Sequence, residues 1–100
     1  MEKARRKAIL FGADFVNLAT VRFTPDLLRC VPGDLARAHQ ALPVSKTQRF
    51  LAIAIADPAD LDVLDALAKA LGEEIEWRVA DEVQLHTFIE LLYGSDSVAG

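Results

Sequence analysis

The pattern of apolar and polar positions changes period along the chain. Up to residue 40 apolar residues recur at helical spacing, which predicts three short helices. They are Glu2 to Phe11, a turn or two after Pro25, and Pro32 to Gln40. Between the first two, a short apolar segment is extended or irregular and contains Phe15, Val16 and Leu18.

After Ala41 the period shortens to two, which predicts strands. The first strand holds Leu42 and Val44, and it belongs at a sheet edge because Pro43 has no N–H to donate. The run Phe50 to Ala56 is apolar on both faces, as in the centre of a covered sheet. We therefore expect its isoleucines, Ile53 and Ile55, to be fully buried. A third strand has a single apolar face made of Ile75, Trp77 and Val79.

Capping signals predict two more helices. Asp57-Pro58 predicts a helix start with Asp57 as the cap, and Leu61 opens the buried stripe that continues to Leu71. Asp81 with Gln84 three residues later resembles a capping box for the last helix, which Gly94 ends.

The predicted fold is therefore α/β (α+β), with element order α-α-α-β-β-α-β-α. A small three-stranded mixed sheet is covered by helices, and Phe50 to Val79 forms one right-handed βαβ unit. The domain division is residues 1–23 as an N-terminal helix with an irregular segment, residues 24–94 as the folded domain, and residues 95–100 as a flexible tail.

Composition agrees with one compact domain. The 100 residues are 52% apolar and 26% charged, which excludes a disordered chain. The longest apolar run, Phe50 to Ala56, is far short of the roughly 20 residues that span a bilayer, so no direct membrane span is expected. A lone cysteine, Cys30, cannot form an internal disulfide, and the predicted location is cytoplasmic.

Charge is divided unevenly between the two halves of the chain. Residues 1–49 carry nine basic and four acidic residues, and residues 50–100 carry two basic and eleven acidic ones. The basic half can face an acidic partner or anionic lipid. The alternative is two solvated faces whose charges partly compensate.

The sequence contains no pattern for catalysis or for a cofactor. A phosphate-binding G-x-x-x-x-G-K-[ST] string is absent, and so is a dinucleotide fingerprint. The densest acidic cluster runs from Asp57 to Asp65, but it lacks the glycine and terminal glutamate of a calcium loop. His39 and His86 have no neighbour typical of a metal pair or a catalytic triad. Catalytic, cofactor-binding and metal-binding residues are therefore none, and no nucleic acid is expected as a partner.

Several ordered motifs between Leu27 and Tyr93 resemble one known family. The most specific are Val31-Pro32, Leu42-Pro43 and Ala56-Asp57-Pro58. Around them the chain reads Leu28-Arg29-Cys30-Val31-Pro32, Leu35-Ala36-Arg37-Ala38-His39 and Leu51-Ala52-Ile53-Ala54-Ile55. This set is similar to the N-terminal domain of type II secretion ATPases (the E protein) and of type IV pilus assembly ATPases.

The resemblance implies a non-catalytic adaptor domain ahead of a hexameric motor. Its partners would be the cytoplasmic part of an inner-membrane platform protein and the motor domain of the same ATPase, which makes it peripheral to the bacterial inner membrane. Some members of the family bind cyclic di-GMP through R-L-G-x-x-L motifs, so a nucleotide-sensing module is the alternative function. That string is absent here, since Arg29 is followed by Cys30-Val31-Pro32.

The N-terminal helix is the predicted partner-binding element, with Arg5, Arg6 and Phe11 as its candidate contacts. It is the most basic segment, and its end from Ala8 to Phe11 offers little apolar surface for its own domain. We expect it to be mobile or displaced from the core until a partner binds. The alternative is that Phe11 fastens the helix to the sheet.

Overall fold

A computed structural model describes residues 2–94 and contains all the predicted helices and strands, together with one further strand. The helices are α1 (Glu2–Phe11), α2 (Pro25–Leu28), α3 (Gly33–His39), α4 (Leu61–Leu71) and α5 (Glu82–Tyr93). The strands are β1 (Asp14–Phe15), β2 (Leu42–Lys46), β3 (Leu51–Ile55) and β4 (Ile75–Val79), and a 3₁₀ turn covers Leu18–Thr20. The tail predicted for residues 95–100 lies outside the described residues.

The sheet has four strands rather than the predicted three, in the order β1-β4-β3-β2. The βαβ unit is confirmed, because β3 and β4 pair in parallel from Leu51 opposite Ile75 onward. β2 pairs antiparallel with β3 and lies at an edge, as Pro43 predicts. The missed strand, β1, pairs in parallel with β4 over two residues only. Two residues are too few to show an alternating pattern, so the sequence indicated only an extended or irregular segment there.

The central strand holds the core together. Every residue of β3 is buried, and Ile53 and Ile55 are 0% and 2% exposed, which confirms the expectation from its two apolar faces. Around it lies a cluster of buried side chains from the 3₁₀ turn, β2, α4 and α5, namely Leu18, Leu42, Leu67, Leu85 and Ile89.

The start of α4 differs from the prediction. Asp60, not Asp57, caps the helix, and its carboxylate accepts a hydrogen bond from the Val63 amide at 3.4 Å. Asp57 instead accepts from the Ala59 amide at 3.0 Å, within the turn that follows β3. Because the helix begins three residues late, Leu61 is its first residue and is 71% exposed, so it is not part of the buried stripe.

Candidate docking surface

Helix α1 lies on the sheet through two alanines. Ala4 and Ala8 are buried against Val79 of β4, with Ala13 and Phe15 beside them. Methyl side chains allow the helix backbone to approach the strands closely. The helix is thus seated on the sheet and not displaced from it, and Phe11 does not fasten it, because Phe11 is 53% exposed.

Arg5 contributes to this seat. Its guanidinium lies 5.2 Å from the centre of the Phe15 ring, a cation–π contact to β1. Phe15 itself stands opposite Val79 in the parallel pair. Arg5 therefore links α1 to the sheet edge and is not simply a free surface charge.

The outward side of α1 combines cations with uncovered apolar side chains. Ile9 and Leu10 are each 79% exposed, and Phe11 follows them at the end of the helix. Leu10 shares a shallow surface concavity with Lys3, Arg6 and Lys7. Gly12 then ends the helix with a φ of 68°, a left-handed conformation that suits glycine. We call Lys3, Arg6, Lys7 and Leu10 the basic ridge.

The segment after α1 is tied to α5 by one side chain. The Gln84 carbonyl accepts from the Leu18 amide at 3.0 Å, and its amide nitrogen donates to the Asn17 side chain at 3.0 Å. Asp81 caps α5 by accepting from the Gln84 backbone amide at 3.0 Å, as predicted. That hydrogen bond favours the carboxylate form and lowers the pKa of Asp81. Since the Gln84 side chain is engaged elsewhere, it does not complete the capping box in the usual way.

An open groove of about 700 Å³ runs between α4 and β4. Its apolar floor includes Leu64, Ile75 and Trp77, and four carboxylates surround it: Asp62, Asp65, Glu73 and Glu74. Two of the four are already paired, Asp65 with Lys69 at 3.1 Å and Glu73 with Lys46 at 2.7 Å. For Asp62 and Glu74 the described part of the chain supplies no ion-pair partner. We call this the acidic groove.

Sequence and structure comparisons place the chain among known proteins. The sequence model of one protein family, the MshEN domain, matches residues 11–99. The chain belongs to the MshEN domain family. This MshEN domain is 32% identical over 83 residues to the type IV pilus assembly ATPase PilB of Myxococcus xanthus (strain DK1622). The match covers 83% of this chain and 15% of that ATPase, and it confirms the resemblance drawn from the motifs.

Two solved structures share the fold. One is a structure of MshE with cdg, which aligns over 91% of this chain and 66% of the MshE chain, with a TM-score of 0.83 and 27% identity. The other is the N-terminal domain of XpsE, with a TM-score of 0.73 and 21% identity over 89% of this chain and 63% of that one. The second likeness concerns the fold alone.

Within the described residues the MshEN domain assembles no metal-binding cluster. No three His, Cys, Asp or Glu side chains come close enough there to hold a metal ion. His86 is engaged with Gln40, whose side-chain oxygen lies 3.2 Å from the imidazole Nδ1. No helix among residues 2–94 is long and apolar enough to cross a membrane.

The structure brings the three predicted contact residues onto one helix but gives them different positions. Arg6 belongs to the exposed ridge, Phe11 lies at its end, and Arg5 is turned toward Phe15. Sequence reasoning missed the exposure of Ile9 and Leu10. The available signal was three consecutive apolar residues at a helix end, more than one buried stripe can cover.

Proposed function

We propose that this MshEN domain is a protein-docking module of a type IV pilus or type II secretion ATPase, and that α1 presents its docking surface. The observation that carries the proposal is the basic ridge with Ile9, Leu10 and Phe11 uncovered beside it. Exposed apolar side chains next to unpaired cations suit a protein surface that is apolar at its centre and acidic at its rim. The proposed partner is the cytoplasmic part of an inner-membrane platform protein.

The rest of the proposal follows from the family. The chain spans 15% of the PilB relative and contains no G-x-x-x-x-G-K-[ST] string, so a motor would lie elsewhere in a longer protein. The domain would then be non-catalytic, cytoplasmic and held at the inner membrane through its partner. Its second contact would be the motor domain of the same ATPase.

Binding kinetics with the purified cytoplasmic domain of the platform protein test this. Arg6→Glu should slow association and reduce its salt dependence, because a rim charge acts mainly on the approach of the partners. Leu10→Ser with Phe11→Ser should speed dissociation, because both side chains would be buried on docking. Melting temperatures should stay near that of the unchanged chain, since these side chains are exposed.

The matched control is Leu91→Ser on α5, where the leucine is 74% exposed. It removes an equally uncovered apolar side chain from another helix and should leave binding unchanged. Equal losses in the α1 and α5 variants would mean that general surface hydrophobicity drives binding. Unchanged kinetics in the α1 variants would remove α1 from the interface.

A second candidate function is binding of cyclic di-GMP. It is favoured by the likeness to MshE with cdg, at a TM-score of 0.83. The absence of R-L-G-x-x-L from the chain argues against it. Calorimetry with cyclic di-GMP at about 100 μM ligand tests this second function, because that concentration detects micromolar affinity. Measurable heat that saturates would support the sensing function, and its absence would reject it for this domain.

A further inference from the structure

The basic ridge and the acidic groove lie on the same face of the sheet. Side chains alternate along a strand, so Ile75, Trp77 and Val79 share one face of β4. Val79 contacts Ala4 and Ala8 of α1. Ile75 and Trp77, on the same face of β4, form the floor of the groove. One face therefore presents a positive ridge above β4 and β1 and a negative groove beside it.

We propose that this face pairs with the same face of a second copy of the domain, so that the basic ridge of each copy occupies the acidic groove of the other. A two-fold axis that lies in the contact plane, between the basic ridge and the acidic groove, places the ridge of each copy over the groove of the other. Such an interface is self-complementary and closes at two copies.

The basic ridge and the acidic groove carry opposite charges, and on each of them some charged side chains form no ion pair within the described part of the chain. Among the residues that the structure describes, Lys3 and Arg6 on the ridge have no carboxylate partner. Asp62 and Glu74 in the groove likewise have no cationic partner there. Pairing two copies therefore supplies each unpaired charge with an opposite one without breaking an ion pair inside either chain.

Apolar side chains fit the same arrangement. Leu10 on the ridge is uncovered, and so is Leu61 at the mouth of the groove. Trp77, partly exposed on the floor, offers the aromatic surface that dominates many interfaces. Seating Leu10 against Leu61 and Trp77 places apolar contacts at the centre and charges around them, as in protein interfaces generally.

Sedimentation velocity over a protein concentration series at about 0.1 M salt tests the pairing. The unchanged chain should form dimers and nothing larger, and dimers should be lost at about 1 M salt, where the screening length falls to about 3 Å. The ridge variant, Lys3→Glu with Arg6→Glu, should be monomeric over the same series. The groove variant, Asp62→Lys with Glu74→Lys, should be monomeric as well. Both should melt near the temperature of the unchanged chain.

An equal mixture of the two variants gives the sharpest result. In a mixed pair one contact is native and the other has both charges reversed, so both are attractive and dimers should return. The matched control is Glu90→Lys on α5, which reverses a carboxylate outside the groove and should leave dimers intact. Monomers of the unchanged chain at every concentration, species larger than two copies, or no recovery in the mixture would each overturn the proposal.

The groove variant also separates this inference from the docking function. It leaves α1 unchanged and no longer covered by a second copy, so it should bind the platform protein at least as tightly as the unchanged chain while failing to dimerise. A groove variant that loses platform binding but still dimerises would show instead that the groove is part of the docking surface, and self-association through it would be rejected.

Discussion

The Tyr93 hydroxyl lies 3.0 Å from two carbonyl oxygens, those of Leu28 and Val31. It joins the last turn of α5 to the segment between α2 and α3, sixty or more residues earlier in the chain. Burial disfavours the phenolate and raises the pKa of Tyr93 from 10.0 to about 12. One side chain thus makes the stability of a surface junction depend on pH.

Tyr93→Phe should lower the free energy of unfolding by about 1–2 kcal/mol at neutral pH, because the Leu28 and Val31 carbonyl oxygens lose the hydroxyl that donates to them. The folded pKa lies above the unfolded one, so the neutral hydroxyl stabilises fully below pH 10.0 and its contribution is lost as the pH rises toward 12. Denaturant titrations of both proteins between pH 7 and alkaline pH measure this difference. A constant difference between the two proteins at all pH values would contradict it.

Gln84 is the corresponding link near the other end of the same helix, α5. Gln84→Ala should speed hydrogen exchange at the Leu18 amide, because that amide loses its acceptor at 3.0 Å. The free energy of unfolding should fall by about 1–3 kcal/mol, the cost of leaving such a group unpaired. Thr87→Ala, an exposed position on the same helix, serves as the control and should change neither quantity. Exchange at Leu18 that is unaffected in the Gln84 variant would show that the link does not hold this segment.

At the level of elements, period and capping signals predicted the five α-helices and the three longer strands, but not the 3₁₀ turn at Leu18–Thr20. β3 could be predicted from its two apolar faces, and β4 from its alternation of apolar and polar residues, because each strand extends over five residues. β1 was missed because a two-residue pair is defined by its partner, not by its own pattern. The cap of α4 was misplaced because Asp57 and Asp60 carry the same local signal, and only the turn after β3 decides between them.

The same limit applies to the candidate surface. Its basic charge was visible in the sequence, but the position of α1 on the sheet depends on contacts of Ala4 and Ala8 with Val79, more than seventy residues away in the chain. The acidic groove was not predicted, since it is formed by α4 and β4 only after they pack. The contacts between residues far apart in the chain are the part of the site that the pattern of a single sequence does not predict.

The central position of β3 gives a direct prediction. Ile53→Ala should lower the free energy of unfolding by about 2–5 kcal/mol, because the side chain is fully buried in the core and the cavity left behind cannot close completely. Leu91→Ala on the exposed side of α5 should cost less than about 0.5 kcal/mol. Chemical denaturation measures both, and a cost below about 1 kcal/mol for Ile53→Ala would contradict the central placement of the strand.

At the scale of the whole molecule, the buried apolar side chains among residues 2–94 form two clusters. The large one surrounds β3, and the small one consists of Ala4, Ala8 and Val79 with their neighbours. The N-terminal helix contributes buried residues to the small cluster only. Detaching α1 from the sheet should therefore leave the main core folded.

Ala8→Asp should detach α1 without unfolding the domain, because the carboxylate cannot be buried beside Val79 without a partner. Limited trypsin digestion should then cleave faster after Arg5 and Arg6. Cleavage within residues 24–94 should be little changed, and Ala19→Asp, at an exposed position, is the control. Global unfolding of the Ala8 variant would show that the two clusters are one cooperative unit.

The two edges of the sheet offer a poor hydrogen-bonding template to a further strand. On one side, β2 has Pro43 in place of an N–H donor, and its register shifts between Pro43 and Ser45. On the other side, β1 offers only two residues, Asp14 and Phe15. When copies of the domain pack closely together, their contacts should therefore form through helices and side chains and not by pairing of strands at the sheet edges. Close packing of many copies can then be tolerated without seeding a continuous, amyloid-like sheet.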